Sequence, residues 1–469
     1  MDLKQVVGRE TALPTVDVVV IGGGSAALCA AIAARRCGAS VRLLEQAPVA
    51  MRGGNSRHAR NFRLMHDQPE PYVPDVYGEQ AFLADLLRVT RGASNDGLAG
   101  LLIRSSATIT PWLESNGVHL QTASHGRLPY SRRTAFLLGG GKAMVNALYA
   151  TATALGVVIS YESEVVGLDG DDDRCTVIVV RHGEQERVVA KAVVACAGGH
   201  QANLDWLRRD IGPAADGFMV RGTPYATGGV LRCLLEAGAK PVGDPARCHM
   251  VAVDARGPKF DGGIVTRITA IPHGIVVDRD CRRFHDERAD FGKAHFARWG
   301  ARIAACPGQV AYLILDAVGL ARSPPTALPP IQADSIAALA AQLQLDPIAL
   351  EHTIETFNTA TARPDGAAPV DHGATTRTAV PLAVPPFASY PMRPGITFTH
   401  YGVGVDDDMR VLRTDGRPFP RVFAAGMIMA ANVLGEGYLA GLGVTISAVF
   451  GRLAGETAAS EAAAQQAAM

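Results

Sequence analysis

The segment Val16–Ile21, VDVVVI, and the glycine turn directly after it constrain the chain most. A near-continuous apolar run of β-branched residues reads as a strand buried in a parallel sheet. Gly22-Gly23-Gly24 and Ser25-Ala26-Ala27 come next, then an alanine-rich helical segment, then a second strand over Ser40–Leu44 that ends at Glu45. Strand, glycine turn, helix, strand and acid are the parts a dinucleotide needs. Gly22 permits the tight turn, Gly24 lets the backbone approach a pyrophosphate, and the small Ala27 lets helix and strand pack closely. The helix start, at Ser25 and Ala26, offers backbone N–H groups to the phosphates. Glu45 lies at the right distance to accept hydrogen bonds from a ribose diol. The competing explanation is a glycine-rich turn in some other α/β fold.

With 469 residues the chain is long enough for about two to three domain-sized units. Apolar residues make up 48% and charged residues 19%, which excludes wholesale disorder. Lys+Arg and Asp+Glu both number 45, so there is no global basic field for nucleic acid or anionic lipid. None of the cysteines forms a C-x-x-C pair, so neither a metal site nor an iron–sulfur cluster held by this chain is expected. The N-terminal residues MDLKQVVGRETALP lack an apolar signal core, and Tyr438–Phe450 is too short and glycine-rich to span a bilayer. A cytoplasmic protein without a membrane span is expected.

The choice between FAD and NAD turns on where the sheet is completed. Strands are expected over Val158–Val165, Cys175–Val180 and Arg187–Ala195, the last leading into Ala197-Gly198-Gly199. Another is expected at Arg421–Gly426, RVFAAG, near the far end of the chain. Cofactor contacts spread over the whole chain favour FAD.

These segments resemble the fumarate reductase and succinate dehydrogenase flavoprotein superfamily, which also holds ketosteroid dehydrogenases. The resemblance runs through Gly53-Gly54-Asn55-Ser56, Gly139-Gly140-Gly141-Lys142, the segment Cys281–Glu287 (CRRFHDE) and Val422–Gly426. The stretch RGGNSRHARNFRLMHD followed by FLLGGGKAMVNALY is similar to the tricarballylate dehydrogenase group. The resemblance implies an α/β fold: a discontinuous, Rossmann-like FAD domain of the two-dinucleotide-binding type, with an inserted α+β capping domain. The FAD domain is expected at 1–243 and 400–469 and the capping, substrate-carrying domain at 244–399, the active site lying where the cap closes on the flavin. It also implies that FAD is held by Gly22, Gly24, Ser25, Ala26, Glu45, Gly53, Gly54, Asn55, Ser56, Gly141, Lys142, Val165, Ala197, Gly198, Gly426, Tyr438 and Leu439. Relatives that bind FAD covalently use a histidine where Asn55 stands here, so FAD is expected to be non-covalent. Met427 stands where many relatives have a glutamate, which predicts weak FAD retention.

Dehydrogenation of a C–C bond beside carboxylates needs a hydride acceptor, a base, and cations or hydrogen-bond donors for the carboxylates. The resemblance implies His249 as a carboxylate-binding histidine of the cap and His400 as the histidine before the glycine-rich return to the FAD domain, both candidates to touch substrate. Two arginines that work in fumarate reductases are absent, at the positions near Phe291 and at Asn432-Val433-Leu434-Gly435, which disfavours efficient fumarate reduction. Replacement cations are Arg60, Arg63 and Arg133; Glu287, Asp290 and Tyr438 are the proton-transfer candidates, with Tyr401 a further one. A satisfied histidine at a domain junction explains His249 and His400 as well.

The leading expectation is an FAD-dependent dehydrogenase that converts a tricarballylate-like polycarboxylate to cis-aconitate and passes electrons to a separate, membrane-associated iron–sulfur/heme partner. The alternatives are an enoate reductase of the fumarate reductase kind, a 3-ketosteroid-type dehydrogenase, or a flavin-bearing electron-relay subunit.

Overall fold

The computed structural model describes residues 15–122, 133–170, 173–288, 296–361 and 380–468. They form a mixed α/β fold that divides into two compact units. The first takes in the chain up to His200, Tyr225–Asp244 and the chain from His400; the second is Gln201–Pro224 and Pro245–Thr399.

The first unit is built on an eight-stranded sheet. Its path runs Arg410–Leu412, Pro418–Ala424, Glu184–Ala195, Val16–Ile21, Val41–Leu44, Val158–Ser160. The last five lie parallel to one another, in register from Val422 opposite Val193 to Leu43 opposite Ile159. Val18, Val19 and Val20 are fully buried, as a strand covered on both faces requires. The single strand expected over Val158–Val165 is two strands. Glu162 adopts φ +53°, and beyond it Ser163–Gly170 turns into an antiparallel meander with Cys175–Arg181 and Glu184–Ala195.

The helix Ser25–Arg36 lies against the long C-terminal helix Leu442–Ala468. Small residues allow this. A Cβ on Gly451 would sit 2.5 Å from the Ala26 carbonyl oxygen, and one on Gly455 would sit 2.2 Å from that of Ala30. The backbones touch where Gly451 and Gly455, four apart, meet Ala26 and Ala30, also four apart.

The second unit carries a six-stranded sheet with Phe387–Val403 at its centre. Ala311–Leu315 and Ile331–Ala333 pair with that strand antiparallel, and Ile275–Asp278 lies beyond Ala311–Leu315. The helices Ile336–Leu343 and Pro347–Thr361 contribute Leu339, Leu350 and Phe357 to a core with Ile275 and Ile314. Residues 201–224 were expected with the first piece of the FAD domain but belong to this unit. Met219–Val220 pairs with Gly395–Ile396, and Leu207, Phe218 and Ile396 share one apolar cluster.

Gly455→Val places a branched side chain against backbone and is expected to destabilise the protein by roughly 3 kcal/mol. A urea midpoint unchanged from that of the parent would contradict the close crossing.

Candidate functional site

The site begins at the glycine turn. Gly22 has φ +111°, and a Cβ there would lie 2.6 Å from the Cys196 carbonyl oxygen. Gly24 caps the helix Ser25–Arg36, whose first turn carries no acidic residue. The helix end therefore keeps its positive potential for an anion.

The loop 53–58 is stitched to this helix start. The Ser25 N–H donates to Ser56 Oγ at 2.9 Å, and the Ser25 and Ser56 hydroxyls are 2.9 Å apart. The Gly141 N–H donates to the Ala59 carbonyl at 2.6 Å, and a Cβ on Gly141 would meet the Ser56 carbonyl at 2.0 Å. On the other side, a Cβ on Gly426 would meet the Ala26 methyl at 2.7 Å, and the Ala425 N–H donates to the Ala195 carbonyl at 3.1 Å. Gly22, Gly24, Ser25, Ala26, Gly53, Gly54, Asn55, Ser56, Gly141 and Gly426 thus gather round one helix end. Beside Gly198 no heavy atom lies within 4 Å of where a Cβ would stand, and beside Gly54 the nearest is the Gly24 Cα at 4.0 Å. This open cradle of backbone is what the phosphates of a dinucleotide require. Lys142 is exposed in the first turn of Gly140–Ala154, Val165 is buried in Ser163–Gly170, and Ala197 is half-buried just beyond Glu184–Ala195.

Glu45 ends the strand Val41–Leu44 and is buried. Its carboxylate accepts from the Ala47 N–H at 3.0 Å and the Gly53 N–H at 3.4 Å. Burial pushes its acid up from the ordinary carboxylate range, and these bonds pull the other way.

The return segment bearing Tyr438 and Leu439 is fixed to the strand Asn61–Arg63. Thr445 Oγ1 accepts from the Arg63 N–H at 3.1 Å and donates to the Arg63 carbonyl at 2.5 Å. Gly441 approaches Arg63 N to 2.9 Å from its Cβ position. Tyr438 is half-buried and Leu439 is buried.

The candidate cations have defined partners. Arg63 is buried, donates to the Tyr77 hydroxyl at 2.8 Å and to the Ala440 carbonyl at 3.1 Å, and lies 3.6 Å from Asp85. Arg133 bonds the same Asp85 at 2.9 Å, and Arg88 does so at 2.7 Å. Three guanidinium groups share one carboxylate, whose acid they and the Tyr77 hydroxyl hold low against the opposing effect of burial. Tyr77 and Asp85 carried no signal in the sequence that tied them to Arg63 and Arg133. Arg60 lies over the Phe136 ring at 5.7 Å.

His400 is buried, and burial holds its imidazole down at about 4, against a hydrogen bond with the Gly435 backbone. It is therefore neutral at pH 7 and offers hydrogen bonds, not a cationic charge. Asn432, in the stretch Asn432-Val433-Leu434-Gly435 where the resemblance would place an arginine, is buried and donates to the carbonyls of Val403 and Met429 at 2.9 and 2.6 Å. In the second unit, His249 is buried with its ring 5.3 Å from that of Phe398. Glu287, also buried there, is bound to Arg283 at 2.6 and 3.1 Å and accepts from the Val276 N–H at 2.7 Å. Burial raises its acid although Arg283 lowers it. Its oxygens are thus engaged by Arg283 and the Val276 backbone. Asp290 lies outside the described residues.

A family model described as an FAD binding domain matches residues 17–444. The chain belongs to that family. It is 26% identical over 493 residues to the NADH:fumarate oxidoreductase of Klebsiella pneumoniae (strain 342), with 97% of this chain and 49% of that protein covered. It is 28% identical over 466 residues to the probable fumarate reductase Ifc3 of Shewanella frigidimarina (strain NCIMB 400), covering 96% of this chain and 75% of that protein. The open conformation of a flavocytochrome c3 fumarate reductase shares its fold, with a TM-score of 0.78 at 24% identity over 96% of this chain and 78% of that one. The chain thus spans about half the length of the first relative. Its family is that of an FAD-binding domain, and both relatives are named as oxidoreductases or reductases. The glycine cradle and Glu45 suit the pyrophosphate and ribose of FAD. Among the described residues no helix is long and apolar enough to cross a membrane, and no group of three or more His, Cys, Asp or Glu could hold a metal ion.

Two outcomes are expected from the buried ionisable groups. An unfolded chain protonates histidine near pH 6.5, whereas His400 in the native state does so at about 4. Between these values the unfolded state binds the extra proton, so stability falls as pH falls. The loss from pH 7 to pH 5 is expected to be roughly 2 kcal/mol smaller in His400→Gln. Equal losses in urea titrations of the two proteins would contradict a buried neutral His400. Glu287→Gln leaves Arg283 buried without its charge partner and is expected to cost roughly 3 kcal/mol. Glu79→Gln, which breaks the exposed pair with Arg104, is expected to cost under about 1 kcal/mol. Similar urea midpoints for these two variants would contradict the structural role of Glu287.

Proposed function

We propose that the chain dehydrogenates a CH–CH bond flanked by carboxylates in a small polycarboxylate, with tricarballylate, giving cis-aconitate, as the leading compound. FAD, bound non-covalently, supplies the acceptor for the hydride; a proton leaves the neighbouring carbon, and the two electrons pass to a separate membrane-associated iron–sulfur/heme partner. The second unit acts as the capping, substrate-carrying domain of a two-dinucleotide-binding-fold flavoprotein, working from the cytoplasm.

The observation that carries this reading is the cationic stretch next to the cofactor cradle. Arg57, His58, Arg60 and Arg63 come directly after Gly53–Ser56, and the strand they enter is held against the return segment by Thr445. Among the described residues Asp85 faces three guanidinium groups, those of Arg63, Arg88 and Arg133, so that cluster carries more positive than negative charge. A substrate with several carboxylates matches such an excess. The stretch Asn432-Val433-Leu434-Gly435 offers no cation where the fumarate reductase resemblance would place one, which supports a substrate other than fumarate. His400 and His249 serve as carboxylate hydrogen-bond donors in this scheme, and Glu287, Tyr401 and Tyr438 are the proton-transfer candidates among the described residues.

Anaerobic mixing of the FAD-loaded protein with tricarballylate is expected to bleach the flavin absorbance. Succinate and a 3-ketosteroid are expected to leave it unchanged. Bleaching by the steroid alone, or reoxidation of the reduced protein by fumarate with no response to tricarballylate, would contradict the proposal.

A further inference from the structure

Gly23 is the residue of the turn that a dinucleotide pattern leaves free, yet here it has no room for a side chain. A Cβ would lie 2.0 Å from Glu45 Oε2 and 2.2 Å from the Tyr149 hydroxyl. Two side chains from distant parts of the chain fill the space beside the turn. The Tyr149 hydroxyl donates its one proton to the Gly23 carbonyl at 3.1 Å, and its oxygen lies beside the Glu45 carboxylate, the two flanking the same point next to Gly23. Tyr149 is almost wholly buried, on the helix Gly140–Ala154. Its ring is held from the outside by Arg52, whose guanidinium lies 4.3 Å from the ring centroid. Arg52 in turn donates to the Tyr161 hydroxyl at 2.9 Å and to Asn146 Oδ1 at 3.2 Å.

We infer that Tyr149 is a positioning residue for the adenosine end of the cofactor. Its hydroxyl, bonded to the peptide of the phosphate-binding turn, packs beside the Glu45 carboxylate and holds it in the orientation that receives the ribose diol. The backbone bonds from Ala47 and Gly53 hold Glu45 from the chain's own side, and Tyr149, bonded to the Gly23 carbonyl, packs its hydroxyl beside the carboxylate. Arg52 keeps the phenol in place by stacking on it. The inference rests on the assignment of FAD to the glycine cradle and concerns cofactor recognition, not the substrate.

The test uses the full-length apoprotein, titrated with FAD and with an FAD analogue lacking the adenosine 2′-hydroxyl, with flavin fluorescence as the readout. The parent protein is expected to prefer FAD by about tenfold, the worth of one hydrogen bond to a charged acceptor. Tyr149→Phe is expected to lose about tenfold in affinity for FAD and little for the analogue, so the preference collapses; Glu45→Gln should show the same collapse. A merely structural tyrosine would weaken both ligands equally, and that result, or an unchanged preference, overturns the inference. If Tyr149→Phe does not fold, Arg52→Ala decides. A reduced preference for FAD supports the positioning chain and an unaltered one overturns it. Failure of the parent protein to bind either ligand would remove the FAD assignment itself, an outcome distinct from the loss of selectivity in a variant.

Discussion

The close crossing of two helices, Gly451 and Gly455 on one and Ala26 and Ala30 on the other, is the contact on which the rest of the cofactor site depends. It brings residues more than four hundred apart in sequence into backbone contact. The glycine turn sits at the start of the first helix, and the return segment sits at the start of the second. Any larger side chain at the crossing would hold the helices apart by more than the tightly packed interior tolerates. Strand pairing reinforces the same closure, because Pro418–Ala424 adds to the sheet beside Glu184–Ala195, itself the neighbour of Val16–Ile21. A cofactor whose contacts come from both ends of the chain is possible only because these two layers close together.

The polar network near Asn61–Arg63 builds on that closure. Thr445 and Gly441 lock the strand to the head of the C-terminal helix, and Arg63 reaches from it to Tyr77 and Asp85. Arg63 is buried and Arg133 is partly exposed, so their common carboxylate spans the passage from interior to surface. Charge that would be costly to bury alone is carried here by hydrogen bonds and by the aromatic face of Tyr77. The chain from Gly53 to Arg63 thus both lies against the start of the first helix and carries Arg63 to Asp85.

Much of this was legible in the residues and part was not. Val16–Ile21, the turn, the helix and Glu45 are local patterns, in which each residue's type is set by its immediate neighbours. They are found where they were expected. The break at Glu162 depends on one backbone conformation, and the transfer of 201–224 to the second unit depends on a strand partner near Ile396. Neither is encoded in a short window. The sharing of Asp85 by Arg63 and Arg133, and the presence of Tyr149 beside Gly23, are long-range contacts of the same kind. Arg283 and Glu287 differ, since their spacing of four residues is visible in the sequence. What was not visible was their burial, which turns an acid near the expected site into a structural ion pair.

Hydrogen exchange of the apoprotein with and without FAD tests most directly whether the two chain ends enclose one cofactor. Protection on adding FAD is predicted in peptides covering 22–28 and 53–58 and, at the same FAD concentration, in peptides covering 424–445. Protection confined to the N-terminal peptides, with 424–445 exchanging as before, would contradict the account.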